Sequence, residues 1–137
     1  MISHRPSIDD PEVKRIVVKN IWSESIPRGG TCVWAPSYRA GYVSRPSTAT
    51  LSLFAGIAIE EIAPQVEGVI VGYGFVETLV DLATPVATAG RILVPVNAQF
   101  YARDSGASDG KSGFIVSADS WVAGVGTGLR WCFVRGM

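Results

Sequence analysis

The chain has 137 residues, of which 47% are apolar and 18% charged, and its twelve basic residues balance twelve acidic ones. This length allows one compact domain with a hydrophobic core rather than two. Proteins that bind nucleic acids carry an excess of Lys and Arg for the phosphate backbone, so the zero net charge argues against nucleic acid as a partner. The low charged fraction favours a domain that buries surface against copies of itself or a partner.

Residues 1–14 are polar, contain two prolines and show no sustained periodicity, which predicts an extended N-terminal arm. We expect no secretory segment, because this stretch lacks an apolar core. No apolar run approaches the roughly twenty residues of a membrane-spanning helix, so we expect no membrane partner. The arm is one of two stretches in which we predict interface residues, and those in the arm are His4 and Arg5.

Short strands separated by turn residues are predicted after the arm. Arg15–Ile21 is rich in β-branched residues, and Thr31–Ala35 is a second apolar run. Pro36–Ser47 holds two prolines, two tyrosines and two arginines, which predicts a long loop. Tyrosine and arginine supply much of the contact energy at protein interfaces, so this loop is the second stretch with predicted interface residues. They are Tyr38, Arg39, Tyr42 and Arg45.

The segment Thr50–Glu77 alternates between apolar and other residues with a period of two, which is typical of strands that bury one face. Pro64 and Gly68 separate its two predicted strands. The predicted buried positions of the first strand are Leu51, Leu53, Ala55, Ile57 and Ile59. Those of the second strand are Val69, Val71, Tyr73 and Phe75. We predict close approach of a neighbouring backbone at three glycines, Gly56, Gly72 and Gly74.

The remaining segments continue the strand pattern. Thr78–Leu82 continues or flanks the second strand, and Ile92–Ala102 alternates but contains Pro95, which predicts an edge strand or a break. Further strands are predicted at Phe114–Ala118, Trp121–Ala123 and Leu129–Arg135. Because no segment keeps a helical period over about ten residues, we predict an all-β fold, either a compact β-sandwich or a small β-barrel. Residues 15–137 form its single domain, behind the arm of residues 1–14.

Candidate catalytic and metal-binding residues are sparse. The only histidine, His4, lies in the arm, which argues against a Ser-His-Asp or Cys-His arrangement and against a metal site with two histidines. Gly106–Ser112 departs from a phosphate-binding loop in its spacing and precedes a predicted strand instead of a helix. We expect no enzyme activity, cofactor or metal. Cys32 and Cys132 lie in apolar runs beside tryptophans, so we expect buried free thiols, with a disulfide left open.

Several motifs of glycine and β-branched residues follow one another in a defined order. They are Ile26-Pro27-Arg28-Gly29-Gly30, Ala55-Gly56-Ile57-Ala58, Ile62-Ala63-Pro64, Glu67–Gly74, Ala89–Leu93 and Trp121–Val125. In this order the motifs resemble those of the small capsid cement (decoration) proteins of tailed bacteriophages. The resemblance spans about Arg15 to Val134.

This resemblance implies a compact β domain that forms a homotrimer on the outside of the virus head, where capsid subunits meet. It therefore implies a structural virion protein, made in the host cytoplasm, whose partners are the major capsid protein and itself. One alternative is a tail or head-fibre component. A second is a small oligomeric β-barrel enzyme whose site lies between subunits; its candidate residues are Asp104, Asp109 and Lys111, in the polar segment Asp104–Gly113 that we predict to be a flexible loop. A third is a ligand-binding barrel.

Overall fold

The computed structural model describes residues 13–35, 41–83, 85–86, 89–105 and 115–136. Within these residues it contains nine strands and no helix, which confirms the predicted all-β fold. The strands are β1 Lys14–Asn20, β2 Thr31–Trp34, β3 Tyr42–Ser44, β4 Phe54–Ala58, β5 Glu67–Asp81, β6 Ile92–Pro95, β7 Ala102–Asp104, β8 Ile115–Ser117 and β9 Thr127–Arg135. No helix that could cross a membrane occurs in the described ranges.

The fifteen-residue strand β5 joins the two halves of the fold. Its first half pairs antiparallel with β1 and β4, and its second half pairs antiparallel with β9 from Tyr73↔Arg135 to Asp81↔Thr127. Strand β7 pairs with it in parallel at Val80. These pairings close a five-stranded barrel in the order β1-β3-β2-β4-β5, and the other strands form a second closed circuit, β5-β7-β6-β8-β9. Of the two predicted architectures, the fold is therefore the barrel.

Each circuit encloses its own hydrophobic core. The larger core contains Phe54, Ile57, Val71, Val76, Val80, Val86, Leu93, Ala102, Ile115, Trp121, Cys132 and Val134. The smaller core contains Val18, Ile26, Cys32, Val43, Ala55, Ala58, Ile62 and Ile70. Strands β4 and β5 contribute to both cores, because they lie between the two circuits. Cys32 and Cys132 are buried free thiols in different cores, which confirms the prediction and excludes a disulfide between them.

Strand β4 is shorter than predicted and is buried on both faces. It begins at Phe54, because Leu51 and Ser52 lie in a turn, and all five of its residues are buried. A bulge interrupts its alternation. Cys32 of β2 pairs with Gly56 and Val33 pairs with Phe54, so Ala55 is an extra residue between them. The predicted close approach at Gly56 is confirmed, because a Cβ there would overlap the carbonyl of Val71.

The buried face of β5 differs from the prediction. Val71 is buried as predicted, but Tyr73 and Phe75 are 38% and 43% exposed. The buried positions after Tyr73 are Gly74, Val76, Thr78 and Val80. The cause is a bulge: Arg15 pairs with Val71 and Lys14 pairs with Tyr73, so Gly72 is an extra residue. A bulge shifts the alternation by one. After it, the even-numbered residues Val76 and Val80 face the larger core, which Val71 faces before it, and the odd-numbered residues Tyr73 and Phe75 point outward.

Three further segments differ from or refine the predictions. Tyr42–Ser44 forms β3 within the predicted loop, because it pairs with β1 and β2. The predicted strand Ile92–Ala102 is broken after Pro95, as expected, and folds back as the β6–β7 hairpin. Trp121 forms an isolated bridge with Val86 in place of a strand.

Candidate functional site

The outward side of β5 and β9 carries a cluster of aromatic side chains, which we call the aromatic face: Tyr73, Phe75, Trp131 and Phe133. Tyr73, Phe75 and Trp131 are 38%, 43% and 49% exposed. The Phe133 ring packs edge-on against the rings of Tyr73 and Phe75, at centroid distances of 5.1 Å and 5.3 Å. Single exposed apolar residues are common on soluble proteins, but a contiguous patch indicates a surface that contacts another molecule.

The register of β5 and β9 produces this cluster. Phe75 lies directly opposite Phe133, and Glu77 lies directly opposite Trp131, so their side chains share one side of the sheet. The intervening residues of β9, Cys132 and Val134, are buried in the larger core. The aromatic residues therefore point outward because their small and aliphatic neighbours fill the interior.

The turn at Ile26–Gly30 marks one end of the aromatic face. Gly29 donates its N–H to the Ala58 carbonyl and accepts from the Leu79 N–H, both at 2.8 Å. A Cβ at Gly29 would overlap the Leu129 side chain, and Gly29 has a φ of 78°, so this close packing over the outward residues of β5 and β9 requires glycine. The turn thus covers Leu79 and Leu129 but leaves the aromatic face open.

Charged side chains surround the aromatic face. At one end Tyr73 lies between Lys14 of β1 and Arg135 of β9. At the other end Arg28 forms an exposed ion pair of 3.0 Å with Glu77. Asp119 lies beyond Trp131, and its Oδ2 accepts a hydrogen bond of 3.1 Å from the backbone N–H of Trp131. The rim is therefore positive at the Tyr73 end and of mixed sign at the other.

A cleft of about 390 Å³ opens beside the aromatic face. One edge of β5 pairs with Lys14 of β1 at Tyr73 and donates to the Gly29 carbonyl at Leu79. Between these two points no described strand pairs with that edge, and the cleft lies there. Phe75, Trp131, Val13 and Ile59 give it an apolar lining, and Arg15, Arg28 and Glu77 supply charge. This lining suits apolar side chains with a polar flank.

The predicted loop residues lie apart from the aromatic face where the structure describes them. The ammonium of Lys19 is 5.5 Å from the ring centroid of Tyr42, and the guanidinium of Arg45 stacks over Trp22 at 4.4 Å. Arg45 and Trp22 also line a second cleft of about 360 Å³. Four other predicted interface residues lie outside the described part of the chain: His4, Arg5, Tyr38 and Arg39.

Of the three residues considered for catalysis, the structure describes only Asp104. Asp104 binds Arg91 through both carboxylate oxygens, at 3.3 and 3.1 Å, and Asp109 and Lys111 lie outside the described residues. Across the described ranges, no three His, Cys, Asp or Glu side chains form a group able to hold a metal. Burial raises the pKa of the Cys32 and Cys132 thiols to about 12, so both stay protonated at neutral pH.

Sequence reasoning missed the aromatic face, although both of its strands were predicted. The available signal was the run of aromatic residues at alternate positions, Tyr73 with Phe75 and Trp131 with Phe133. Each run was compatible with a buried face, and only the pairing of the two strands brings four aromatic side chains to one outward surface.

No protein-family model matches the chain, and no curated protein matches its sequence. The resemblance to capsid cement proteins therefore stays a prediction, and the function is argued from the residues themselves.

Proposed function

We propose that the protein is a structural virion protein that binds the outer surface of an assembled bacteriophage capsid and stabilises the shell. The observation that carries an assembly role is the aromatic face, since a contiguous exposed aromatic patch favours protein–protein contact. The major capsid protein as partner, the homotrimer and the location on the head come from the motif order Ile26–Gly30, Ala55–Ala58 and Glu67–Gly74.

The stabilising action follows from mass action. A protein that binds the assembled shell and not the free capsid subunits shifts the equilibrium toward the shell. Many copies, each bound weakly, add their effects across the lattice. This role needs complementary surface and a rigid domain, and the two packed cores around β5 supply the rigid domain.

The test is co-sedimentation of the full chain with expanded empty shells of the same virus, compared with its unassembled capsid subunits. We expect binding to the shells alone and a higher thermal transition of the decorated shells. A chain that never associates with expanded shells contradicts the proposal. Binding to tails or head fibres in its place would support the alternative virion location.

The predicted contact residues can be tested in the same assay. Deleting residues 1–12, which removes His4 and Arg5, and replacing Tyr42 or Arg45 by Ala are expected to weaken shell binding. Val125→Ser is the matched control, because Val125 is 98% exposed and belongs to neither predicted stretch. Thermal unfolding of the free variants separates lost binding from lost stability, since Arg45 also stacks on Trp22.

A further inference from the structure

We propose that the cleft beside the aromatic face binds residues 10–12 of the same chain, as an added strand that continues β1 along the open edge of β5. These residues lie outside the described part of the chain. Three features support the contact: the open edge, the place where the described chain begins, and the sequence of the segment. The contact lies within one chain and does not depend on the capsid being a partner.

The open edge of β5 presents backbone groups for which the described chain supplies no partner. The Leu79 N–H points to this edge, since it donates to the Gly29 carbonyl at 2.8 Å. Alternate residues of a strand direct their N–H and C=O groups to the same edge, so Phe75 and Glu77 do so as well. No described strand or turn bonds with these two residues there. An unpaired edge above an apolar cleft is a site for an added strand.

The described chain begins inside this cleft. Val13 contributes to the lining of the cleft, and Lys14 pairs with Tyr73 at one end of the open edge. Strand β1 is antiparallel to β5, so the residues that precede Lys14 continue along the open edge toward Leu79 without a turn. A segment of the chain itself is therefore the occupant closest to the site.

The register of β1 on β5 gives each residue of the segment a partner. One step back along β1 matches one step forward along β5, so Glu12 lies opposite Phe75 and Asp10 lies opposite Glu77. Both residues of the segment then exchange backbone hydrogen bonds with the open edge. Beyond them the Gly29 carbonyl already accepts a hydrogen bond from β5, so the added strand ends at Asp10.

The proline of the segment suits an edge strand. Pro11 falls between the two residues that bond to β5, so its missing N–H is on the side away from β5, where proline is tolerated. Its ring lies opposite Val76, which lines the cleft together with Ile59 and Val13. The residue before a proline also favours extended backbone. Pro11 therefore covers part of the apolar lining and costs no hydrogen bond with β5.

The two acidic side chains of the segment lie on the outward side of the sheet. Glu12 shares that side with Lys14, two residues further along the same strand. Asp10 lies beside Glu77, but Arg28 binds Glu77 through Nη2 alone, so its remaining N–H groups can bind a second carboxylate. Each carboxylate of the segment therefore has a cation within reach.

Hydrogen exchange of single backbone amides tests the proposal, measured by NMR on the full chain and on a variant that lacks residues 1–12. We expect the Phe75 and Glu77 amides to exchange at least about tenfold more slowly in the full chain. The Leu79 amide is the internal control, because Gly29 accepts its hydrogen bond in both proteins, and its rate should not change. Urea unfolding verifies that the shortened domain is folded.

Moving the proline by one position tests the register. A double variant that combines Pro11→Glu with Glu12→Pro keeps the composition but turns the missing N–H toward β5, opposite Phe75. Its Phe75 amide should exchange as fast as in the shortened chain. Pro11→Ala is the matched control, because the N–H of residue 11 points away from β5, so its Phe75 amide should still exchange slowly.

Three results would overturn the proposal: fast exchange of Phe75 and Glu77 in the full chain, slow exchange that survives removal of residues 1–12, or slow exchange that the double variant leaves intact. A mixing experiment tests whether the segment comes from a second copy. Isotope-labelled chains that lack residues 1–12 are refolded with unlabelled full chains. Slow exchange of Phe75 in the labelled chains would assign the cleft to another copy and overturn the contact within one chain, whereas fast exchange supports it.

Discussion

Replacing Asn20 by Ala is expected to destabilise the domain by about 3 kcal/mol. Asn20 is fully buried, and its Nδ2 donates to the carbonyls of Glu24 at 2.9 Å and Ile62 at 3.0 Å, while Oδ1 accepts from the Trp22 N–H at 2.8 Å. Each such bond contributes about 1 kcal/mol net, so the loss of all three costs about 3 kcal/mol. The side chain joins the end of β1 to the turn that follows and to the segment before β5.

Urea unfolding measures this loss. With a slope of about 2 kcal/mol/M, a loss of 3 kcal/mol lowers the midpoint by about 1.5 M. Asn97→Ala is the control, because Asn97 is exposed, and it should change the free energy of unfolding by less than about 0.5 kcal/mol. The reasoning is refuted if Asn20→Ala costs less than about 1 kcal/mol, or no more than the control.

Two further predictions concern an ion pair and the thiols. Arg91→Met should lower the free energy of unfolding in urea by about 3 kcal/mol, because the side chain of its partner Asp104 is only 8% exposed. Arg28→Met should lower it by less than about 1 kcal/mol, because the pair of Arg28 with Glu77 is exposed. Equal losses in the two variants would contradict this prediction. The raised thiol pKa values stabilise the fold fully below about pH 9, and this contribution is lost as pH rises toward 12, because the unfolded thiols ionise first. Cys132→Ala should therefore reduce the fall in stability between pH 9 and 11 by up to about 1.4 kcal/mol per pH unit, and an unchanged slope would refute the assignment.

Local patterns predicted most strands, because their causes are local. The period of two in Gly68–Glu77 identified β5, and Pro95, which lacks an N–H for the ladder, marked the break between β6 and β7. The close approach at Gly56 was predicted from its place in an apolar strand and is confirmed by the Val71 carbonyl. The sequence left open whether Thr78–Leu82 continues or flanks β5, and pairing with distant β9 makes the residues up to Asp81 a continuation of the strand.

The predicted interface residues show a second limit of local reasoning. Tyr42 and Arg45 were chosen for residue type in a predicted loop, but Tyr42 belongs to β3 and Arg45 stacks on Trp22 within the chain. Residue type predicts which side chains supply contact energy, and it does not say whether the contact lies within one chain or between chains. Their part in binding a shell stays a prediction.

The sequence by itself determined that this protein is built from short strands, that both thiols are buried and that turns lie at its Gly and Pro clusters. Only the tertiary structure decided which side of β5 faces a core. Both sides carry apolar residues, so the periodicity fits either, and the bulge at Gly72 reverses the alternation midway. That choice depends on pairing with β1 and β9, which are distant in sequence, and it turned Tyr73 and Phe75 from expected core residues into half of the aromatic face.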